Sequence, residues 1–485
     1  MMLTIEYVPS VLAALESAFP TPPNRAKQQL DKYLELLERL MRLSLLNRSV
    51  FARRFDAYDI PLTKLINLSP TINNKKWRVH EWLGKHGHAL VQNINKSANN
   101  ITKEIAVLKP TANLIVKNDN LLKYLQTLSA PELDNYLSSL TQDWQDLIDE
   151  YQSHYNALSV KDRKTQYFTS PVDIASLKRY MTEIVQGATK LSKSQQEDCI
   201  DNAENVLRHA QVNNGFLHQK IDKKAFGRTY YEGVSVLSTR KELRMAFLGA
   251  SWEYDCKSCS TAWKMSFASE WHAQKKSRKL DARHTFAAMT LYLEDKEAFF
   301  DAVIQEVYNS QPTDGYKATI KEAMTALGFG AKLSMGTWRS DTGEENQSSL
   351  FEVFDRDTVV LKQFVECNLV KTFNAEQQTL NKFIVAKFAG DAVWQAAMTA
   401  EQQRKKVKQF SSAQKIVWLY QHAETIMMDI VRAEVKKSGN TVLANVHDAV
   451  VVRNQIPANV LAKIERKVQQ RTGVDYFRLG ETLFN

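Results

Sequence analysis

Two aspartates occur at positions from which a carboxylate could bind a metal ion. Asp255 ends an apolar, strand-like run, and small polar residues that can open a helix follow it. Asp448 follows His447 between two apolar runs, residues 441–446 and 449–453. Carboxylates at strand ends suit hard divalent cations such as Mg²⁺. Taken alone, Asp255 is also explained as a helix cap, and Asp448 as a residue that favours a hairpin turn.

A basic helix lies between the two aspartates in the sequence. Steps of four residues place Lys317, Lys321, Thr325 and Phe329 on one oblique stripe of this predicted helix. Two ammonium groups and an aromatic face on that stripe could hold a triphosphate and stack a nucleobase. The alternative for this segment, taken alone, is an ordinary solvated basic face that ends at a glycine.

The three segments together indicate nucleotidyl transfer by two metal ions. This reaction needs carboxylates that bind both ions, because one ion activates a 3′-hydroxyl and the other binds the leaving pyrophosphate. Two aspartates on separate strands, with a basic helix between them, supply these groups. Positioning and charge neutralisation then provide most of the catalysis. We therefore expect two Mg²⁺ ions as cofactors.

The elements that must position these residues are long helices and one small antiparallel sheet. Gly and Pro number only 16 and 11 among 485 residues, which favours long helices. Amphipathic helices are predicted at 24–46 and 131–152, and the first 215 residues are predicted to be all-helical. The apolar runs on either side of residues 447–448 predict a tight hairpin. The predicted fold class is therefore α+β.

The charge of the chain indicates a polyanionic partner. Its 64 Lys and Arg residues against 54 Asp and Glu give a net charge of +10, which is typical of nucleic-acid binding. The four cysteines exclude a disulfide scaffold and fit a reducing compartment. Cys256 and Cys259 resemble half a zinc site, but no second pair completes it. Because no membrane span or leader peptide is evident, we expect a cytoplasmic protein.

The same three segments, in this order, resemble motifs A, B and C of the family A polymerase superfamily, closest in character to its single-subunit, phage-type RNA polymerases. Motif B of that family reads Arg-x3-Lys-x7-Tyr-Gly, and here it reads Lys317-x3-Lys321-x7-Phe329-Gly330. Motif A is a strand that ends in Asp, and motif C is a His-Asp pair in a hairpin. The resemblance covers residues 226–485.

The resemblance implies a right-hand polymerase with thumb, fingers and palm. The predicted divisions are a helical N-terminal and thumb region at 1–215, a first part of the palm with motif A at 216–265, fingers with motif B and a return helix at 266–437, and a second part of the palm with motif C at 438–485.

The resemblance also implies roles for individual residues. Asp255 and Asp448 would bind both metal ions, with help from the backbone carbonyl of Cys256. Lys321 would neutralise the incoming triphosphate with the assistance of Lys317. Further contacts with the nucleotide or the nucleic acid would come from residues in or near the motifs, namely Arg228, Tyr230, Phe329, Gly330, Gln421 and His447.

The residue five positions after the motif A aspartate bears on the choice between RNA and DNA. DNA polymerases of the family carry Glu there, which crowds the 2′ position of the sugar, whereas phage-type RNA polymerases carry Gly. Here the residue is Ser260, and its small side chain leaves room for a 2′-hydroxyl. Phe329 replaces the usual motif B Tyr and lacks the hydroxyl that favours ribose, so sugar selection is expected to be lax.

The resulting hypothesis is a compact, single-subunit RNA polymerase or primase. Its partners would be a DNA template, nucleoside triphosphates, an RNA product and an accessory protein for template or promoter choice, with no membrane involved. One alternative is a family A-like DNA polymerase or reverse transcriptase without proofreading, because the sequence lacks an Asp-x-Glu exonuclease signature in a suitable place. The other is a non-catalytic nucleic-acid-binding protein, for which the net charge would suffice.

Overall fold

The computed structural model describes residues 3–20, 25–45, 55–73, 76–94, 105–118, 120–141, 145–222, 226–274, 281–336, 338–339, 345–346, 348–405 and 407–484. The chain divides into two compact units. The N-terminal unit comprises Met1–Asp222, Tyr230–Ser251 and Phe484–Asn485, and the C-terminal unit comprises Lys223–Thr229 and Trp252–Leu483. The predicted division into thumb, palm and fingers stays a prediction.

Helices make up most of the N-terminal unit. They are Pro9–Ala18, Arg25–Leu45, Leu62–Leu68, Val79–Lys85, Leu121–Gln126, Ala130–Ser138, Gln145–Tyr151, Ser153–Ala157, Val160–Gln166, Ile174–Val185, Lys193–Val212 and Lys241–Leu248. The predicted helix at 24–46 is confirmed by Arg25–Leu45, whose buried residues include Leu30, Tyr33 and Leu37 at helical spacing. The helix predicted at 131–152 is instead two helices, Ala130–Ser138 and Gln145–Tyr151.

The expectation that the first 215 residues are all-helical is wrong. The N-terminal unit contains the strands Leu3–Tyr7, Tyr58–Pro61, Thr71–Ile72, Trp77–Arg78, Val91–Asn93, Ile105–Pro110, Leu114–Asn118, Tyr167–Pro171, Phe216–Asp222 and Tyr230–Glu232. The first of these pairs antiparallel with Leu114–Asn118, more than a hundred residues later in the chain. These strands are two to seven residues long, so each gives too short a pattern for alternation to reveal it.

The C-terminal unit is also mainly helical. Its helices are Cys259–Met265, Ala268–Gln274, Ala282–Thr285, Ala287–Glu294, Lys296–Tyr308, Asp314–Gly328, Ser349–Val353, Thr358–Glu366, Asn368–Phe388, Ala392–Lys405, Ser412–Lys437 and Ala458–Thr472. Helix Ser412–Lys437 begins at a capping box, in which the Ser411 hydroxyl and the Gln414 side chain satisfy each other's backbone amides. Its last turn carries Lys436 and Lys437, where positive charge stabilises the helix dipole.

One four-stranded sheet organises this unit. Its strands are ordered Val442–Val446, Ala449–Val452, Ser251–Cys256 and Leu479–Phe484, and a separate two-stranded sheet pairs Trp338–Arg339 with Glu345–Asn346. All four residues of Ala449–Val452 are buried, and the apolar core of the unit includes Tyr254, Val450 and Val452. Helices with small antiparallel sheets agree with the predicted α+β class. Within the described residues, no helix combines the length and apolarity needed to cross a bilayer.

Candidate active site

The four-stranded sheet brings Asp255 and Asp448 to the same end of two adjacent strands. Strand Ser251–Cys256 pairs antiparallel with Ala449–Val452, and Asp255 lies opposite Ala449. Beyond this pair, the amide of Cys256 donates a hydrogen bond of 2.9 Å to the backbone carbonyl of Asp448. Two residues that are distant in sequence therefore become neighbours across one strand pair.

A two-residue turn presents Asp448 at this edge. Val446 pairs with Ala449, so His447 and Asp448 alone connect the two strands, as the apolar runs predicted. His447 has φ of 43°, in the left-handed region, which a two-residue hairpin turn commonly requires. Ala449 is buried, whereas Val446 and both turn residues are half-buried.

The carboxyl group of Asp448 lies in an unfavourable electrostatic environment. Burial raises its pKa to about 6, and the negative charges of Glu424 and Asp255 add to the rise, while Arg228 opposes it. Removing this net negative charge from the site would stabilise the ionised form of Asp448. A divalent cation bound by both aspartates would neutralise that negative charge.

Glu424 and Arg228 form a buried ion pair beside Asp448. The Arg228 Nε and Nη2 atoms donate to the two carboxylate oxygens of Glu424, each at 2.7 Å. The side chain of Glu424 is 1% exposed and that of Arg228 is 20% exposed. Arg228, predicted to contact the nucleotide or the nucleic acid, is therefore engaged by Glu424, and its charge also acts on Asp448.

Glu424 and Tyr420 were missed by the sequence analysis, although the sequence contains a signal for Glu424. The buried residues of helix Ser412–Lys437 include Ile416, Tyr420, Glu424 and Met428, which recur every four residues. A carboxylate on such an apolar stripe needs a buried cationic partner, because an unpaired buried charge is costly. That reasoning would have indicated a site on this helix.

A cavity of about 710 Å³ opens in front of the two aspartates. The predicted residues that line it are Asp255, Cys256, Ser260, Lys321, Phe329 and Asp448. The other lining side chains of note are Lys257, Tyr292, Lys296, Tyr420 and Glu481. The cavity thus combines acidic groups from the sheet with lysines on its walls, all within the C-terminal unit.

Lys296 is a cavity lysine that the motif analysis did not single out. It begins helix Lys296–Tyr308, and its Nζ atom donates to the Ser258 hydroxyl at 2.9 Å and lies 4.9 Å from the Tyr292 ring centroid. Burial lowers its pKa, against the opposing attraction of Asp255. A lysine between two aromatic residues, without a motif spacing, carries no clear sequence signal.

Lys317 and Lys321 lie in different environments although they are one helical turn apart. Lys321 is exposed and lines the cavity. The Lys317 Nζ atom is 2.5 Å from a carboxylate oxygen of Glu297 and 3.6 Å from one of Asp301, and Lys317 is not among the cavity-lining residues. Because these acids already neutralise Lys317, the structure offers only Lys321 of the pair to a ligand in the cavity.

The end of helix Asp314–Gly328 is held in place from two sides. The Nζ atom of Lys264, almost fully buried, donates to the Gly328 carbonyl at 2.8 Å and to Gln377, and burial lowers the Lys264 pKa to about 7. Gly330 has φ of +95°, and a Cβ atom there would lie 2.7 Å from the Cβ atom of Ala413. These contacts fix Phe329, which is 40% exposed, with its ring centroid 5.9 Å from that of Tyr420.

The remaining predicted residues have varied placements. Tyr230 is exposed and belongs to the N-terminal unit. Gln421 is half-buried on helix Ser412–Lys437, and its backbone carbonyl accepts from the Thr425 hydroxyl at 2.9 Å. His447, half-buried in the hairpin turn, and Gln421 are not among the residues that line the cavity.

Cys256 and Cys259 form a disulfide bond. It joins the end of the strand that carries Asp255 to the first residue of helix Cys259–Met265. Sequence analysis argued against zinc at these cysteines but did not foresee the bond. The other two cysteines, Cys199 and Cys367, are buried and free.

The donor set around the two aspartates fits a hard divalent cation. Two carboxylates and nearby backbone carbonyls are oxygen ligands of the kind that Mg²⁺ prefers, and it takes its remaining ligands from water and substrate phosphates. Within the described ranges, no cluster of three or more His, Cys, Asp or Glu side chains could hold a metal ion.

Comparisons with known proteins add little to this geometry. No family model matches the chain, and no curated protein matches it. A solved structure, the polymerase domain of Pol1 from M. smegmatis in complex with a DNA primer-template and dNTP, aligns with 75% of this chain and 80% of its own, at 12% identity and a TM-score of 0.38. A similarity at that score carries no argument about function.

Proposed function

We propose that the chain is a nucleotidyltransferase that extends a nucleic acid on a template, with ribonucleoside triphosphates as the favoured substrates. One observation carries the proposal: Asp255 and Asp448, far apart in sequence, meet at adjacent strands and face a cavity that they share with Lys321 and Phe329. The thumb, palm and fingers divisions, the DNA template, the accessory protein and the cytoplasmic location all belong to this proposal.

The reaction joins the 3′-hydroxyl of a growing strand to the α-phosphorus of a nucleoside triphosphate and releases pyrophosphate. Asp255 and Asp448 would hold two Mg²⁺ ions, which supply activation of the hydroxyl and neutralisation of the leaving group when bound. Asp448 must be ionised to act as a ligand. Because burial raises its pKa to about 6, protons compete with a metal ion for Asp448 more strongly than for an ordinary aspartate.

The cavity lysines would bind the triphosphate. Lys321 is exposed at the cavity, and Lys296 reaches it from the start of another helix. Two ammonium groups on separate helices can bind the same polyphosphate, and each strengthens binding most where water is excluded. Lys317 would act indirectly, since Glu297 and Asp301 neutralise it.

Phe329 and Ser260 would select the nucleotide. The exposed face of Phe329 offers a surface on which a base can stack, and the small side chain of Ser260 lines the same cavity. A small residue there leaves room for a 2′-hydroxyl. This is the support for RNA as the product.

The test is nucleotide incorporation on single- and double-stranded templates, with and without a primer, with each nucleotide set offered separately. We expect Mg²⁺-dependent incorporation of ribonucleotides, and Ser260→Glu should suppress it. Use of deoxynucleotides alone would support the DNA polymerase alternative and contradict the Ser260 argument.

The aspartate variants test the chemistry itself. Asp255→Asn and Asp448→Asn should each abolish incorporation and leave nucleic-acid binding intact, because the substitutions remove only metal ligands. The matched control is Asp429→Asn, which changes an exposed aspartate paired with Arg432 outside the cavity and should stay active. Full activity of both active-site variants, or salt-sensitive binding without elongation in the wild type, would refute the proposal.

A further inference from the structure

A second cavity, of about 630 Å³, lies in the C-terminal unit, and none of the described residues that line it also lines the first. Three segments form its walls: residues 330–333, one face of helix Asn368–Phe388, and the start of helix Ser412–Lys437. Its volume falls within the range of about 300–1,000 Å³ that is typical of small-molecule sites.

The interior of this cavity contains two amide oxygens without hydrogen-bond partners. Asn374 and Asn381 line it from the same helix, and in the described part of the chain the Oδ1 atom of each is buried and accepts no hydrogen bond. Asn381 is only 7% exposed. Leaving a buried acceptor unpaired costs free energy, so this wall favours a ligand that presents N–H donors.

The other walls favour a flat ring and an anion. Leu333, Val385 and Ile416 contribute apolar surface. Lys332 and Lys382 also line the cavity, and both are exposed. A ligand that fits all three walls must donate hydrogen bonds to the two amides, pack a flat ring against the apolar side chains and place an anion near the lysines. A nucleotide whose base carries an exocyclic amino group has these properties.

We propose that this second cavity binds such a nucleotide, with the base against Asn374 and Asn381 and the phosphate near Lys332 and Lys382. This goes beyond the proposed function, because the bound nucleotide is not the one that reacts at Asp255 and Asp448. The nucleotide is either free or one unit of a single strand, since both sources present the same base and phosphate.

The two cavities share one short segment of backbone. Phe329 lines the first cavity and Gly330 lines the second. Gly330 packs against Ala413, which also lines the second cavity, so closely that a Cβ atom on Gly330 would clash. The residue that follows Phe329 therefore forms part of the wall of the second cavity.

The test measures equilibrium binding of AMP and UMP to the full chain in EDTA, which removes divalent cations from the first cavity. AMP should bind about tenfold more tightly than UMP, because loss of one buried hydrogen bond corresponds to roughly that factor. Asn381→Leu and Lys382→Glu should each weaken AMP binding by a similar factor. Two controls should retain it: Lys371→Glu, exposed on the same helix outside the cavity, and Lys321→Ala, in the first cavity.

A short single strand of deoxyadenylate, tested as a competitor of AMP, distinguishes the two sources. If Asn381→Leu weakens the binding of AMP, the result supports a free nucleotide as the ligand. If it weakens the binding of the strand, the result supports one unit of a single strand. If Asn381→Leu fails to fold, Lys382→Glu decides, because its side chain is exposed. The proposal is overturned if neither probe binds, or if both bind wild type and Lys382→Glu equally.

Discussion

Replacing Asp448 with Asn should stabilise the protein while abolishing its activity. Burial and the charges of Glu424 and Asp255 raise the pKa of Asp448 from 3.8 to about 6. An acid whose pKa is raised on folding destabilises the folded state at every pH above its unfolded pKa, because the folded state must hold a charge that it disfavours. Asn keeps the shape of the side chain without that charge.

The size of the effect follows from the pKa shift. The shift of about two units corresponds to about 3 kcal/mol at pH 8, at about 1.4 kcal/mol for each unit. At pH 5 the carboxyl is still mostly protonated in the folded state, so the penalty is about half as large, and near pH 3 it vanishes. The stability of the wild type relative to Asp448→Asn should therefore fall as the pH rises from about 3 to about 7 and then stay constant.

Thermal unfolding of both proteins in EDTA at pH 5 and pH 8 measures this difference. For a domain of this size, 3 kcal/mol corresponds to a rise in Tm of roughly 5–10 °C. Asp255→Asn is the control, because that side chain is exposed, and its stability should change little. An Asp448→Asn variant that is less stable than wild type at pH 8, or a difference that does not depend on pH, would refute the reasoning.

Further predictions concern the charges around the cavity. The Mg²⁺ concentration needed for half-maximal incorporation should rise about tenfold for each pH unit below 6, because a proton competes with the metal for Asp448. A half-maximal Mg²⁺ concentration that stays constant from pH 7.5 to 5.5 would contradict this. Lys321→Ala should raise the KM for nucleoside triphosphates by tenfold or more in steady-state kinetics, whereas Lys317→Ala should change it about twofold, since Glu297 and Asp301 already pair with Lys317. Arg228→Ala should lower the free energy of unfolding in urea by about 3–5 kcal/mol, because it leaves buried Glu424 unpaired. Adding Glu424→Gln should recover most of that loss. A double variant as unstable as Arg228→Ala would argue against the pairing.

Local patterns were sufficient to predict the elements that carry the candidate site. The hairpin at 442–452 follows from two apolar runs around a polar pair, and helix Asp314–Gly328 follows from its four-residue spacing. Both signals lie within a few residues, so the single sequence contains them. The proximity of Asp255 to Asp448 did not follow from spacing and was expected from the resemblance to polymerases.

Other features depended on contacts that no local pattern encodes. Strand Leu3–Tyr7 finds its partner at Leu114–Asn118, and only the pairing makes either segment a strand. The roles of Glu424 and Lys296 depend on charges brought in from other segments, namely Arg228 and Asp255. Lys317 matched a motif position, but the neighbours that neutralise it, Glu297 and Asp301, belong to the preceding helix.

The order of strands in the sheet has a consequence for synthesis of the protein. Strand Ser251–Cys256 is flanked by Ala449–Val452 on one side and Leu479–Phe484 on the other, so both of its neighbours are translated long after it. A ribosome-bound chain that ends before residue 442 leaves both edges of this strand without their native partners, and such edges are prone to pair with other chains. Arrested nascent chains of that length should therefore depend on chaperones.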